Sequence, residues 1–150
     1  MVKRVSLSQA ACPVARALDV IGDWWSLLII RDALEGVRRF GAFQAGLGIA
    51  KGMLATRLRD LVEDGILEIA PASDGSAYSE YVLTAKGREL HLVVAALRQW
   101  GEAALYAPGE DHSVLVDRTR GQKVARLALQ AADGRTLQWN ETRVRHVAAV

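Results

Sequence analysis

Residues 36–59, GVRRFGAFQAGLGIAKGMLATRLR, hold five basic side chains and no acidic one: Arg38, Arg39, Lys51, Arg57 and Arg59. The whole chain carries only +2, so everything outside this window is net acidic. The hydrophobic period in the window reads as two short helices, about 40–45 and 50–64, divided by a turn at Gly46-Leu47-Gly48. Phe40 and Phe43 point inward from the first; Met53, Leu54, Leu58, Leu61 and Val62 give the second its core face. Lys51, Gly52, Ala55, Thr56 and Arg59 occupy the opposite face. Helix, turn and helix with cations on the second helix is an arrangement suited to the major groove of DNA.

Outward from this window the chain reads as helices before it and a hairpin after it. Pro13 suits the first position of a helix over 13–21, where a missing N–H costs nothing. Asp23 caps a second, over 24–34, apolar on nearly every side and therefore central. Strands over 66–70 and 78–83 flank a Ser73-Asp74-Gly75-Ser76 turn and form a wing. Thr84 caps a long helix over 85–105, whose apolar line is Leu90, Val93, Val94, Leu97, Trp100 and Ala104. Such length exceeds what one small domain covers, which points to a helix of a second subunit. From Ser113 the period changes to two, and Asp133-Gly134 marks a hairpin. The expected architecture is mainly α (α+β): a winged helix-turn-helix over 10–106 with a long C-terminal dimerisation helix, then a small β appendage of three or four strands over 110–150.

At 150 residues and 51% hydrophobic content, the chain suffices for such a domain and appendage. No apolar run nears the ~20 residues of a membrane span, and the start lacks a signal-peptide core, so a cytoplasmic protein is expected. Cys12 is the single cysteine, which excludes an intrachain disulfide. His91, His112 and His146 have no metal-ligand spacing, so neither metal nor cofactor is expected. An enzyme is the rival class, but no Ser-His-Asp or Cys-His set is visible. Gly46-x-Gly48 lacks the strand and spacing of a nucleotide loop. A winged helix serving protein contact without specific DNA binding is the other alternative.

Three stretches carry a family resemblance. They are CPVARALDVIGDWWSLLIIRDAL (12–34), GVRRFGAFQAGLGIAKGMLATRLRDLVEDGILE (36–68), and SEYVLTAKGREL (79–90) with LRQW (97–100) downstream. Cys-Pro opens the first helix, Gly-x-x-Trp the second and Arg-Arg-Phe the third, and Leu83-Thr84-x-x-Gly87 follows the wing. Together these resemble the HxlR family of bacterial transcription regulators over about residues 12–105. The resemblance implies a homodimeric, sequence-specific regulator of double-stranded DNA, acting as a repressor. Its first and last helices pack across the dimer through Val14, Leu18, Val94, Leu97 and Trp100. The DNA-contacting set is then Arg38, Arg39, Lys51, Gly52, Ala55, Thr56, Arg57 and Arg59, with Arg38 and Arg39 on phosphate and Arg57 alternatively bracing its own helix. Two departures stand out: before the second strand the wing has Ser76-Ala77-Tyr78-Ser79 in place of the family's usual Arg beside prolines, with Asp74 the only charge in the tip, and many members lack the appendage.

Two further features have paired readings. Trp24, Trp25 and Trp100 are core aromatics or the lining of an effector pocket. Cys12 is a buried inert thiol or a sensor of oxidants and electrophiles. Its place at a helix start, where unpaired N–H groups favour an anion, and the resemblance both point to the sensor.

Overall fold

A computed structural model describes residues 5–148. The elements are α1 (Pro13–Ile21), α2 (Trp24–Leu34), α3 (Phe40–Leu47), α4 (Lys51–Glu63), β1 (Leu67–Pro71), β2 (Ser79–Leu83), α5 (Ala85–Arg88) and α6 (His91–Ala104). The chain divides into two compact units, residues 1–92 and 93–150, so the division falls within α6.

The helix ends of the first unit are set by local chemistry. Pro13 opens α1, and Asp23 Oδ1 accepts the Ser26 N–H at 3.0 Å to open α2. Gly48 ends α3 at φ +64°, a left-handed conformation that favours glycine, with its N–H on Gln44 O at 2.9 Å. α4 ends in a Schellman motif: Gly65 N–H reaches Val62 O at 3.0 Å and Ile66 N–H reaches Leu61 O at 2.9 Å. That motif turns the chain directly into β1.

Leu54, Leu58 and Leu61, spaced along one face of α4, are fully buried with Ile29 and Ile30 of α2 and Phe43 of α3. Shortening any one of these leucines to alanine removes about 2–5 kcal/mol of stability. Met53, expected in this core, is instead 42% exposed. It lies a turn ahead of Arg57 and off the Leu54–Leu58–Leu61 line, so the core is already closed without it.

β1 and β2 pair antiparallel from Leu67 opposite Leu83 to Pro71 opposite Ser79. Tyr81 N–H also donates to Arg38 O at 2.7 Å, which ties β2 to the segment entering α3. The expected helix over 85–105 is broken in two. Thr84 Oγ1 accepts the Gly87 N–H at 3.0 Å, and α5 ends after four residues. Gly87 packs so close to the Ile66 carbonyl that a Cβ there would collide with it. Leu90 N–H then bonds back to Gly87 O at 3.1 Å, a tight three-residue closure between the helices.

In the second unit α6 carries Ala95 inward and leaves Val93, Leu97 and Trp100 exposed; Leu92, where the first unit ends, is exposed as well. Beyond it the expected three or four strands reduce to two turns, each held by a single antiparallel bridge, Val116 with Lys123 and Gln130 with Thr136. Asp133-Gly134 does form the second turn, with Gly134 at φ +90°. The alternating apolar residues find too little to pack on: Trp139 is 89% exposed and Leu129 is exposed as well. A lone hairpin without a covered apolar face does not extend into long strands.

Candidate nucleic-acid interface

α3, the Gly48 turn and α4 form the helix-turn-helix, and α4 divides its residues by face. Lys51, Gly52, Ala55 and Arg59 are exposed, and Thr56 is half-buried beside them. Thr56 Oγ1 donates to Gly52 O at 3.0 Å, and Arg59 Nη2 reaches Thr56 Oγ1 at a long 3.5 Å. A Cβ built on Gly52 meets nothing within 4 Å, so this face is smooth as well as positive. Among the described residues, neither Lys51 nor Arg59 has an acidic partner.

The other three cations of the window are engaged within the protein. Arg57 turns away from that face. Its Nε lies 3.2 Å from Asp23 Oδ1, without the alignment of a hydrogen bond, and its Nη1 lies 3.8 Å from Asp60 Oδ2. The bracing alternative for Arg57 is therefore the arrangement found. Arg39 Nη2 donates to Asp74 Oδ2 at 2.6 Å and to Ser76 Oγ at 3.2 Å, and its guanidinium lies 5.6 Å from the centre of the Tyr78 ring. Arg38 Nη1 lies 3.4 Å from Glu80 Oε2. Glu80 is only 4% exposed and accepts from Ser73 N–H at 3.1 Å and Ser73 Oγ at 2.9 Å.

These contacts set the charge state of the wing. Hydrogen bonds from the Ser76 backbone and hydroxyl, then Arg39, lower the Asp74 pKa to about 2. The Ser73 backbone and hydroxyl, then Arg38, lower that of Glu80. Arg38 and Arg39 thus join the start of α3 to the wing. Asp74, Ser76, Glu80 and Ser73 belong to that arrangement, and the sequence reading passed over them as partners.

Cys12 is exposed at the N-cap of α1 in the single chain. Trp24 is exposed and Trp25 half-buried, their rings edge to face at 5.8 Å between centres; Trp100 is exposed on α6. Val14, Leu18 and Leu97 are exposed and Val94 is half-buried. Among the described residues, no group of three or more His, Cys, Asp or Glu side chains is placed to hold a metal ion, and no helix is long and apolar enough to cross a membrane.

The profile of the HxlR-like helix-turn-helix family matches residues 20–108. An uncharacterized HTH-type transcriptional regulator of Mycobacterium bovis, Mb3122, is 45% identical over 95 residues. That match covers 63% of this chain and 60% of the relative, so the chain spans less than two thirds of the mycobacterial protein. Among solved structures, PA1607, a candidate transcription factor, is 55% identical with a TM-score of 0.88, covering 93% of this chain and 97% of that one. The redox regulator HypR in its oxidized form is 34% identical with a TM-score of 0.57, covering 64% of this chain and 100% of its own.

Proposed function

This chain belongs to the HxlR-like helix-turn-helix family of transcriptional regulators, and we propose that it binds a two-fold duplex DNA site as a homodimer and represses the gene it covers. The exposed face of α4 carries this reading. Lys51 and Arg59 present unpaired charge, and Gly52 and Ala55 let the helix approach the groove floor. Thr56 supplies a hydroxyl beside them. A long cation reaches base edges or phosphate, and a hydroxyl serves either. The same concentration of charge weighs against a winged helix used only for protein contact.

The deciding experiment is duplex binding by fluorescence anisotropy over a salt series. Displacement of counterions from phosphate makes log K fall linearly with log salt, with a slope of about −0.9 per phosphate neutralised. Half-sites of the selected operator are expected about one helical turn, or 34–36 Å, apart. Binding that holds constant across the series overturns the proposal.

We assign reception of the signal to Cys12. Its thiol is exposed at a helix start, and the redox regulator HypR shares the fold. With no second cysteine in the chain, the modifications open to Cys12 are alkylation, a mixed disulfide with a small thiol, or a Cys12–Cys12 bridge between subunits. Diamide takes up the two electrons and two protons released as the S–S bond forms. Treatment is expected to change operator affinity of the wild type and leave Cys12→Ser unaffected. Equal affinities before and after treatment in both proteins exclude Cys12 as the sensor.

A further inference from the structure

The second unit contains an open cavity of about 440 Å³ that uses none of the residues assigned above to DNA, dimer or thiol chemistry. Gln99, Glu102 and Ala103 of α6 form one side, and His112, Lys123, Val124 and Arg126 form the other. Cavities of small-molecule sites run to about 300–1,000 Å³, so one compact ligand fits here.

Its walls are fixed before any ligand arrives. Gln99 Nε2 donates to Ala125 O at 3.1 Å, and Gln99 Oε1 accepts the Leu127 N–H at 2.7 Å. Those two backbone groups flank Arg126, so one side chain of α6 clamps the segment that carries the guanidinium. His112 is held by the Tyr106 ring, 4.8 Å away between centres, and its Nδ1 lies 2.9 Å from Ser113 O.

Charge in the cavity is out of balance. Among the described residues, Glu102 is the only carboxylate lining it, against the two cations Lys123 and Arg126. Lys123 Nζ stands 3.6 Å from Glu102 Oε2, beyond the length of a charge-assisted hydrogen bond. Arg126 makes no ion pair or hydrogen bond with any described residue. A planar fork of donors without an acceptor, beside a second cation and a small apolar surface, fits an acid group joined to an apolar body.

We propose that this cavity binds a small organic anion. Its acid group sits on Arg126 and Lys123, and its apolar body packs on Ala103 and Val124. The site shares no residue with the α4 face, and direct ligand binding tests it without DNA.

The probe is 2-naphthoate, titrated into the full chain and followed by its own fluorescence. Saturable binding is expected, with neutral 2-naphthamide weaker by about tenfold or more. Arg126→Ala is expected to lose about tenfold, because an Arg–carboxylate pair is bidentate and directional. Glu102→Gln is expected to bind more tightly, since it removes the one repelling charge. Arg118→Ala, outside the lining, is the unchanged control. Arg126 is exposed, so its loss leaves folding intact, and the His112 ring protons should shift in the NMR spectrum on titration. Absence of saturable 2-naphthoate binding to the wild type, or equal affinity for wild type and Arg126→Ala, overturns the proposal.

Discussion

Of the five cations between Arg38 and Arg59, three face carboxylates of the same chain, while Lys51 and Arg59 face none among the described residues. On the proposed function, this division separates the cations available to DNA from those that support the fold. Lys51→Ala and Arg59→Ala are each expected to weaken operator binding by about 1–3 kcal/mol if the residue reads a base edge. A phosphate contact instead lowers the salt slope by about one and leaves sequence preference alone. Competition binding against mutated half-sites distinguishes the two. Arg57→Ala should behave differently. Its partner Asp23 also caps α2, so removing the guanidinium leaves a partly buried carboxylate without its counter-charge. A loss of about 1–2 kcal/mol in denaturant unfolding is expected, with the salt slope of DNA binding unchanged. A changed slope with unchanged stability would return Arg57 to the DNA face.

At the scale of the element, the wing is fastened by two carboxylates whose pKa values are lowered, and the sign of its pH dependence follows. A lowered folded pKa means that the ionised form is favoured by folding. The contribution is fully present above the unfolded values, 3.8 for Asp74 and 4.5 for Glu80, and is lost as pH falls through the lower folded values, about 2 for Asp74. The protection factors of the Ser73 and Ser76 amides, which donate to Glu80 and Asp74, should therefore stay constant from neutral to mildly acid pH, after correction for intrinsic exchange, and fall only below the ordinary carboxylate range. Glu80→Gln should quicken exchange at Ser73 at neutral pH, and Asp74→Asn at Ser76. Unchanged exchange in both variants would show that the wing is held by its backbone alone. Sequence could locate these cations but not their partners, because Arg38 and Arg39 pair with residues 42 and 35 positions away. Where the determinants were local, the reading was sharp. α1 and α2 start and stop at Pro13, Asp23 and the glycines that follow them. The break between α5 and α6 was hidden for the opposite reason. It depends on the approach of Gly87 to the Ile66 carbonyl, a tertiary contact that leaves the apolar period of 85–105 undisturbed.

For the whole molecule, exposed apolar surface is the quantity to explain. α1 leaves Val14 and Leu18 exposed, and α6 leaves Leu92, Val93, Leu97, Trp100 and, just past its end, Leu105. Single exposed leucines are ordinary, but a helix with its apolar line facing outward over several turns is a surface for another chain. The second copy of the proposed two-fold dimer would meet that need, since each copy would present the same face to the other. Leu97→Glu tests it cleanly. Leu97 is 50% exposed in the single chain, so a carboxylate there costs the monomer little. In a closed interface the same carboxylate loses water and gains no partner, a penalty of several kcal/mol incurred twice per dimer. Sedimentation velocity should show the variant as a folded monomer at concentrations where the wild type is dimeric, with circular dichroism unchanged. Operator affinity should fall with it, because one recognition helix then holds one half-site and the two-fold advantage is gone. Truncation after Gly109 is the companion measurement. It leaves the proposed dimer face of 10–106 in place and removes residues 110–150. A folded dimer is expected, and Leu97→Glu introduced into the truncated chain should dissociate it as it does the whole one. A Leu97→Glu protein that sediments as a dimer would place the interface elsewhere, on surface other than the apolar line of α6.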